Sequence, residues 1–240
     1  MNFDLLFESF SKELEKRIGI LTEDNVRYML FAKMLEQDPN LNNYTLELPY
    51  KGGKNNPLDN VDFSSLAKSN NSLHQELDLL YCSGELFYAI EIKFHRPSMT
   101  ATGLPNKAGV IFNDIKRLEL IKDAKFRKLF VYVTDDEMHD YFINSRGISN
   151  KCLHDYLYNF YTAKKNEIIN NNYLNNGTIS RQDGSYTFFD CASKSFTNKF
   201  NFESVKTDLK MIYKSDFDSK SSNINREKKG RLHLRVYEIL

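Results

Sequence analysis

The segment from His74 to Arg96, HQELDLLYCSGELFYAIEIKFHR, constrains the fold more than any other part of the chain. Apolar and polar residues alternate through most of it, and Ser83-Gly84 interrupts the pattern near its middle. Alternation with a period of two is typical of β-strands, and a short interruption containing glycine is typical of a hairpin turn. The segment therefore predicts a β-hairpin with two chemically different faces.

A turn centred on Ser83-Gly84 fixes which side chains share a face, because side chains alternate along each strand. One face is wholly apolar or aromatic and carries Leu77, Leu79, Tyr81, Leu86, Tyr88, Ile90 and Ile92. The other face carries Glu76, Asp78, Leu80, Phe87, Ala89, Glu91 and Lys93. In this register Asp78 lies opposite Ala89 and diagonal to Glu91, with the Cα atoms of the two acids ~7–8 Å apart.

Two carboxylates at this separation can bind one cation. Hard oxygen ligands that leave room for water suit Mg²⁺, and such an ion activates water and neutralises phosphate charge. The sequence therefore predicts a metal site in which Asp78 and Glu91 are ligands. The backbone carbonyl of Ile92 is a further candidate ligand, and Lys93 could hold the attacking water or a phosphate.

A purely structural interpretation stays open. A Glu-x-Lys pair on a strand is common, and an exposed pair of this kind contributes less than ~1 kcal/mol. Glu91 and Lys93 would then form an ion pair on a solvated sheet. Three features favour the metal site: the acid at Asp78, the apolar opposite face, and the helix and buried strand that follow the hairpin.

The remaining chain predicts helices on a mixed sheet, which is an α/β or α+β fold. Apolar spacing predicts a first helix with Leu5, Leu6, Phe10, Leu14 and Ile18 inward, and a second helix capped by Thr22, ended by Pro39 and carrying Val26, Met29, Leu30 and Met34. A third helix, GVIFNDIKRLELIKD, places Ile111, Ile115, Leu118 and Ile121 inward. Strands are predicted at YTLELPY, KLFVYVT, SYTFFDC and RLHLRVYEIL, with a possible helix over 202–213 and a loop over 214–230.

The motif ELD…EIK, formed by Asp78, Glu91 and Lys93, resembles that of the PD-(D/E)XK nuclease superfamily, and Leu77 stands where the family name has proline. The helix LTEDNVRYMLF resembles the family's N-terminal helix, and NDIKRLELIKD with LFVYVTD resembles its next helix–strand unit. The resemblance spans 22–135 and implies a restriction-endonuclease-like mixed sheet flanked by helices. It also implies that Glu23 reaches the site.

This resemblance implies a Mg²⁺-dependent endonuclease, with Mn²⁺ able to substitute, that hydrolyses double-stranded DNA as a restriction or other defence enzyme. Asp78, Glu91 and Glu23 would hold the metal, and Lys93 would orient the nucleophile. Cutting both strands with one site per chain predicts a homodimer. The alternative is a protein of nuclease fold that binds nucleic acid or a partner without cleaving it. Residues 1–150 would form the nuclease core, and 151–240 an extension of the same domain used in dimerisation or target recognition.

The charge of the chain bears on how it could bind DNA. The net charge is only +1, but nine Lys or Arg residues face three acids between Lys93 and Lys128. A local positive excess of this kind can bind a polyanion. The predicted contacts to nucleic acid are His95, Arg96, Lys107, Lys116 and Arg117. Three separated cysteines and the absence of a long apolar run predict a cytoplasmic protein without a membrane span.

Overall fold

A computed structural model of the chain describes residues 1–50, 56–62, 76–95, 104–136, 138–139, 179–180, 187–188, 209–222 and 230–240. Within these ranges, no helix combines the length and the apolar composition that crossing a bilayer requires. The architecture is a mixed sheet with helices on it, as the sequence predicts.

Three α-helices lie in the described residues: α1 (Phe3–Lys16), α2 (Glu23–Gln37) and α3 (Leu104–Leu120). A short 3-10 helix covers Leu41–Asn43. The strands are β1 (Gly19–Ile20), β2 (Tyr44–Pro49), β3 (Glu76–Ser83), β4 (Leu86–His95), β5 (Phe126–Asp135), β6 (Ile179–Ser180), β7 (Thr187–Phe188), β8 (Leu209–Asp218), β9 (Ser221–Ser222) and β10 (Arg231–Ile239).

Six strands form the main sheet, in the order β2-β3-β4-β5-β10-β8. The pair β4–β5 is parallel and is connected through α3, whereas the other neighbours in this sheet are antiparallel. The strand β5 is buried along most of its length, because it lies in the interior of the sheet. Two further two-stranded pairs, β1–β9 and β6–β7, lie outside the main sheet.

The β3–β4 hairpin exists, but its predicted register is wrong by two residues. Leu80 pairs with Ala89, and Ser83 pairs with Leu86, so the turn consists of Gly84 and Glu85. Gly84 has a φ of +63°, the conformation that glycine adopts most easily at the first position of a two-residue turn. A shift of two residues keeps every side chain on its predicted face, because side chains alternate with a period of two.

The helices α1 and α2 cover one face of the sheet. Thr22 caps α2 as predicted, accepting a hydrogen bond from the Asn25 N–H at 3.1 Å. The inward residues of the two helices pack on the apolar face of the hairpin and on β5 and β10; they include Leu6, Phe10, Leu14, Val26, Leu30 and Met34. The predicted inward positions Leu5 and Ile18 are wrong, since both are exposed. Ile18 lies beyond the end of α1.

The C-terminal part of the chain adds two strands to the sheet. The strand β10 confirms the predicted RLHLRVYEIL strand and pairs with β5. The predicted helix over 202–213 and loop over 214–230 are wrong where they overlap β8, which pairs with β10 along its length. Pairing with a neighbouring strand overrides the weak local preference of this segment. The predicted boundary at 150 lies outside the described residues.

Candidate active site

Helix α2 and strand β4 bring Glu23 and Lys93 together. The Nζ atom of Lys93 lies 3.0 Å from Oε1 of Glu23, and the backbone N–H of Phe94 donates to Oε2 of the same carboxylate at 3.2 Å. Glu23 is the first residue of α2, so the N-terminus of that helix faces the end of β4. Residues 70 positions apart in the sequence therefore meet in the structure.

Asp78 is held at both carboxylate oxygens. Its Oδ2 atom accepts a hydrogen bond from the backbone N–H of Ile92 at 2.7 Å, and its Oδ1 atom lies 2.7 Å from Nη2 of Arg27. Burial raises the pKa of Asp78, although the Ile92 N–H and the Arg27 charge act in the opposite direction. The side chain is therefore fixed in orientation, and ionising it has a cost that Arg27 reduces.

Glu91 is the most buried acid of the hairpin, with 3% of its surface exposed. Its Oε1 atom accepts a short hydrogen bond from the hydroxyl of Tyr50 and lies 3.3 Å from Nε of Arg117. Burial is the main reason that the pKa of Glu91 is raised to about 8. The nearby charges of Asp78 and Asp114 also act to raise this pKa, whereas the charge of Arg117 acts to lower it. An additional positive charge at this position would favour the ionised form.

Lys93 points into the same charged cluster. Burial acts to lower its pKa, but the carboxylates of Asp114 and Glu23 outweigh burial, and the net shift is upward. The Nζ atom lies 3.6 Å from Oδ2 of Asp114. Lys93 is therefore an ammonium donor held between carboxylates, and it does not form the surface pair with Glu91 that the structural interpretation requires.

Sequence reasoning missed three residues of this cluster: Arg27, Tyr50 and Asp114. Arg27 lies four residues after Glu23, and Asp114 lies three residues before Arg117, so each shares a helix face with a predicted residue. The Arg117 Nη2 atom lies 2.6 Å from Oδ1 of Asp114. That spacing could have identified both residues, whereas nothing in the sequence pattern marked Tyr50.

Two of the predicted contacts to nucleic acid face inward. Lys116 is 4% exposed and its Nζ atom lies 3.1 Å from Oε2 of Glu119, which is fully buried. The side chain of Arg117 is 13% exposed and is paired with Glu91 and Asp114. The expectation that both side chains contact phosphates at an exposed surface is therefore wrong, because both are largely buried and paired with acids.

The other predicted contacts differ in their placement. His95 ends β4, and its Nδ1 atom lies 3.1 Å from the hydroxyl of Tyr132. Burial, together with the charges of Lys93 and Lys107, lowers the pKa of His95 to about 3, so the ring is neutral at pH 7. Lys107 lies on α3 and is half-buried. Arg96 lies outside the described residues.

The donor chemistry of the cluster fits a divalent cation. Asp78 and Glu91 offer the carboxylate oxygens that Mg²⁺ accepts, and burial raises the pKa of both groups, so a cation there would relieve an existing cost. In the part of the chain that the structure describes, however, no group of three or more His, Cys, Asp and Glu side chains is arranged as a metal centre. Arg27 and Arg117 supply the counter-charges to these two acids.

Fold and site together define a mixed α/β protein whose six-stranded sheet carries a buried charged cluster between two helices. No family model, no curated protein and no solved structure matches this chain. A function for it has to rest on the chemistry of the cluster itself.

Proposed function

We propose that the chain is a Mg²⁺-dependent endonuclease of the PD-(D/E)XK type that hydrolyses DNA. The observation that carries this proposal is the meeting of the buried acids Asp78 and Glu91 with the partly buried Lys93 and Glu23 in one charged cluster, although the sequence separates them by up to 70 positions. The order of elements supports it: a helix carrying Glu23, a hairpin carrying the three motif residues, and then a helix and a strand parallel to β4.

Each residue of the cluster has a role that follows from its contacts. Asp78 and Glu91 would hold the cation, with the carbonyl of Ile92 as a further ligand and Glu23 acting directly or through water. A cation held there would supply a polarised water molecule and would neutralise charge on the phosphate. Lys93, kept protonated by Asp114 and Glu23, donates hydrogen bonds to the attacking water or to a phosphate oxygen. Tyr50 and Arg117 hold Glu91 in place.

The test is cleavage of plasmid DNA in Mg²⁺ and in Mn²⁺ by the parent, Asp78→Asn and Glu91→Gln. These two changes remove a charge but keep the shape of the side chain, so we expect folded proteins with at least about 100-fold slower cleavage. The matched control is Glu76→Gln, because Glu76 is an exposed acid on the same strand as Asp78. Parental rates in either site variant would exclude this assignment of the site.

Assembly is part of the proposal. Double-strand cleavage by one cluster per chain would require two copies related by a two-fold axis. DNA affinity should fall with salt, with a log–log slope of about −0.9 for each phosphate contact. Sedimentation that gives monomers both with and without DNA, or an affinity that does not change with salt, would exclude the dimeric duplex-binding enzyme.

A second candidate function is a nuclease-fold protein that binds nucleic acid without cutting it. One observation favours it: Arg27 and Arg117 already neutralise the two acids of the hairpin, as internal cations would in a site without metal. Binding that persists in EDTA, together with no cleavage of varied DNA and RNA substrates in Mg²⁺ or Mn²⁺, would favour this candidate over the endonuclease.

A further inference from the structure

Arg27 contacts Asp78, the acid that the proposed function makes a metal ligand. Its Nη2 atom lies 2.7 Å from Oδ1 of Asp78, and its Nη1 atom lies 2.7 Å from Oε1 of Glu47. A third acid, Asp24, lies 3.7 Å from Nη1. One guanidinium therefore joins a buried acid of the candidate site to two acids that are more than half exposed.

The strand β2 is distorted where it supports this guanidinium. Leu46 pairs with Leu79 and Leu48 pairs with Leu77, so the register places Glu47 opposite Asp78. Glu47 has a φ of +52° and is the one non-glycine residue with positive φ in the described part of the chain. Left-handed backbone is unfavourable for a residue with a side chain, and it persists where the surrounding structure enforces it.

Arg27 itself has an unsatisfied donor. Its Nε atom is buried and has no hydrogen-bond partner among the described residues, although both Nη atoms are paired. A buried donor without a partner costs free energy, so it calls for an explanation. A pair that served stability alone would not require a strained acceptor on one side and an unsatisfied donor on the other.

These contacts give Arg27 two resting partners of different burial. Losing the contact to Asp78 would leave Nη1 paired with Glu47 and close to Asp24. The guanidinium can therefore give up Asp78 without becoming a buried charge with no counter-charge, which would be far more costly. Glu47 is therefore the acceptor that could hold Arg27 when Asp78 binds another partner.

We propose that Arg27 competes with a divalent cation for Asp78 and that Glu47 holds Arg27 away from Asp78 when the cation is bound. The inference rests on the proposed function only in that Asp78 is a ligand, and it makes Arg27 a residue that sets metal affinity. Arg27 also keeps Asp78 ionised and oriented through Oδ1, while the Ile92 N–H fixes Oδ2.

The test is to measure Mn²⁺ binding to the full chain. The readout is the loss of the electron paramagnetic resonance signal of free Mn²⁺. The variant Asp78→Asn defines the part of the binding that depends on this site. Arg27→Met removes the positive charge but keeps the stem, and we expect Asp78-dependent Mn²⁺ affinity to rise about tenfold or more. Arg27→Lys keeps the charge and should stay within about threefold of the parent.

A second variant keeps the test decisive if Arg27→Met does not fold. Glu47→Gln weakens the alternative partner, so Arg27 should remain on Asp78 and Mn²⁺ affinity should fall severalfold. In the Arg27→Met background the same change should have a smaller effect, because coupled residues are not additive. Affinity that is unchanged or weaker in Arg27→Met, or unaffected by Glu47→Gln, would overturn the inference.

The outcomes separate this inference from the nuclease proposal. If Arg27→Met tightens Asp78-dependent Mn²⁺ binding while no form of the protein cuts DNA, the competition stands and the endonuclease fails. If the parent cuts DNA with Mg²⁺ but Arg27→Met binds Mn²⁺ no more tightly, the endonuclease stands and the competition fails. If no variant shows Asp78-dependent Mn²⁺ binding, the competition is excluded.

Discussion

Reversing the charge of Lys116 should destabilise the fold rather than remove a contact to DNA. Lys116 is on the buried side of α3, with its Nζ atom 3.1 Å from the fully buried carboxylate of Glu119. Lys116→Glu would replace this attraction by two carboxylates facing each other away from solvent. A buried charge without its counter-charge is among the most destabilising changes a point mutation can make.

The geometry sets the size of the effect. Unit charges 3.1 Å apart interact by about 5 kcal/mol at an effective dielectric constant of about 20. Removing one partner of a buried pair costs about 3–5 kcal/mol in measured cases, and the reversal adds repulsion to that loss. Since the whole domain is expected to be stable by only about 5–15 kcal/mol, we expect Lys116→Glu to lose at least about 3–5 kcal/mol.

Urea unfolding followed by far-ultraviolet circular dichroism at pH 7 and 25 °C measures this loss. With a slope of about 1–3 kcal/mol per molar urea, the midpoint should fall by about 1 M or more. The matched control is Lys122→Glu, because Lys122 is exposed just after α3 and should change stability by less than about 0.5 kcal/mol. Equal midpoints for the two variants would refute the buried placement of Lys116.

Three further changes test the site, the core and the turn. Burial raises the pKa of Glu91 from 4.5 to about 8, so the unfolded chain ionises first as pH rises. In EDTA the parent should therefore lose stability relative to Glu91→Gln between pH 4.5 and 8, and a constant difference in urea midpoint across that window would contradict this. Leu6→Ala should cost about 2–5 kcal/mol and Leu5→Ala less than about 1, because Leu6 is fully buried and Leu5 is 58% exposed; equal costs would contradict the observed face of α1. Gly84→Ala should cost about 1–2 kcal/mol in the same assay and Gly84→Asn less, because φ is positive there; equal losses would argue against the observed turn.

The hairpin was the most predictable part of the fold, because its pattern is set by local chemistry. Alternation assigned the two faces correctly, and a register error of two residues could not exchange them. The turn itself was misplaced because both Ser83-Gly84 and Gly84-Glu85 contain the glycine, and only backbone geometry distinguishes them. The strand β8 could not be predicted from local pattern, since it depends on pairing with β10 from a different part of the chain.

The acids of the candidate site could be predicted from the sequence, but the positive side chains that pair with them could not. The motif and the resemblance identified Asp78, Glu91 and Glu23, all of which lie in one cluster. The partners depend on how α2 and α3 pack against the sheet, and a charge count along the sequence cannot tell an inward lysine from a solvated one. Lys116 and Arg117 were assigned to a surface for that reason, although both turn inward.

The charges of the cluster argue for a role beyond stability. Four carboxylates that are more than half buried meet three cationic side chains: Glu23, Asp78, Glu91 and Asp114 with Arg27, Lys93 and Arg117. Apolar side chains of similar volume would often stabilise a fold as well as a buried ionic network does, so stability alone does not account for this network. A bound divalent cation would add two positive charges, which would leave the cluster net positive and attractive to a phosphodiester. A chain with a net charge of +1 could then bind a polyanion through a cation in the cluster. Such binding would not require a contact from Lys116.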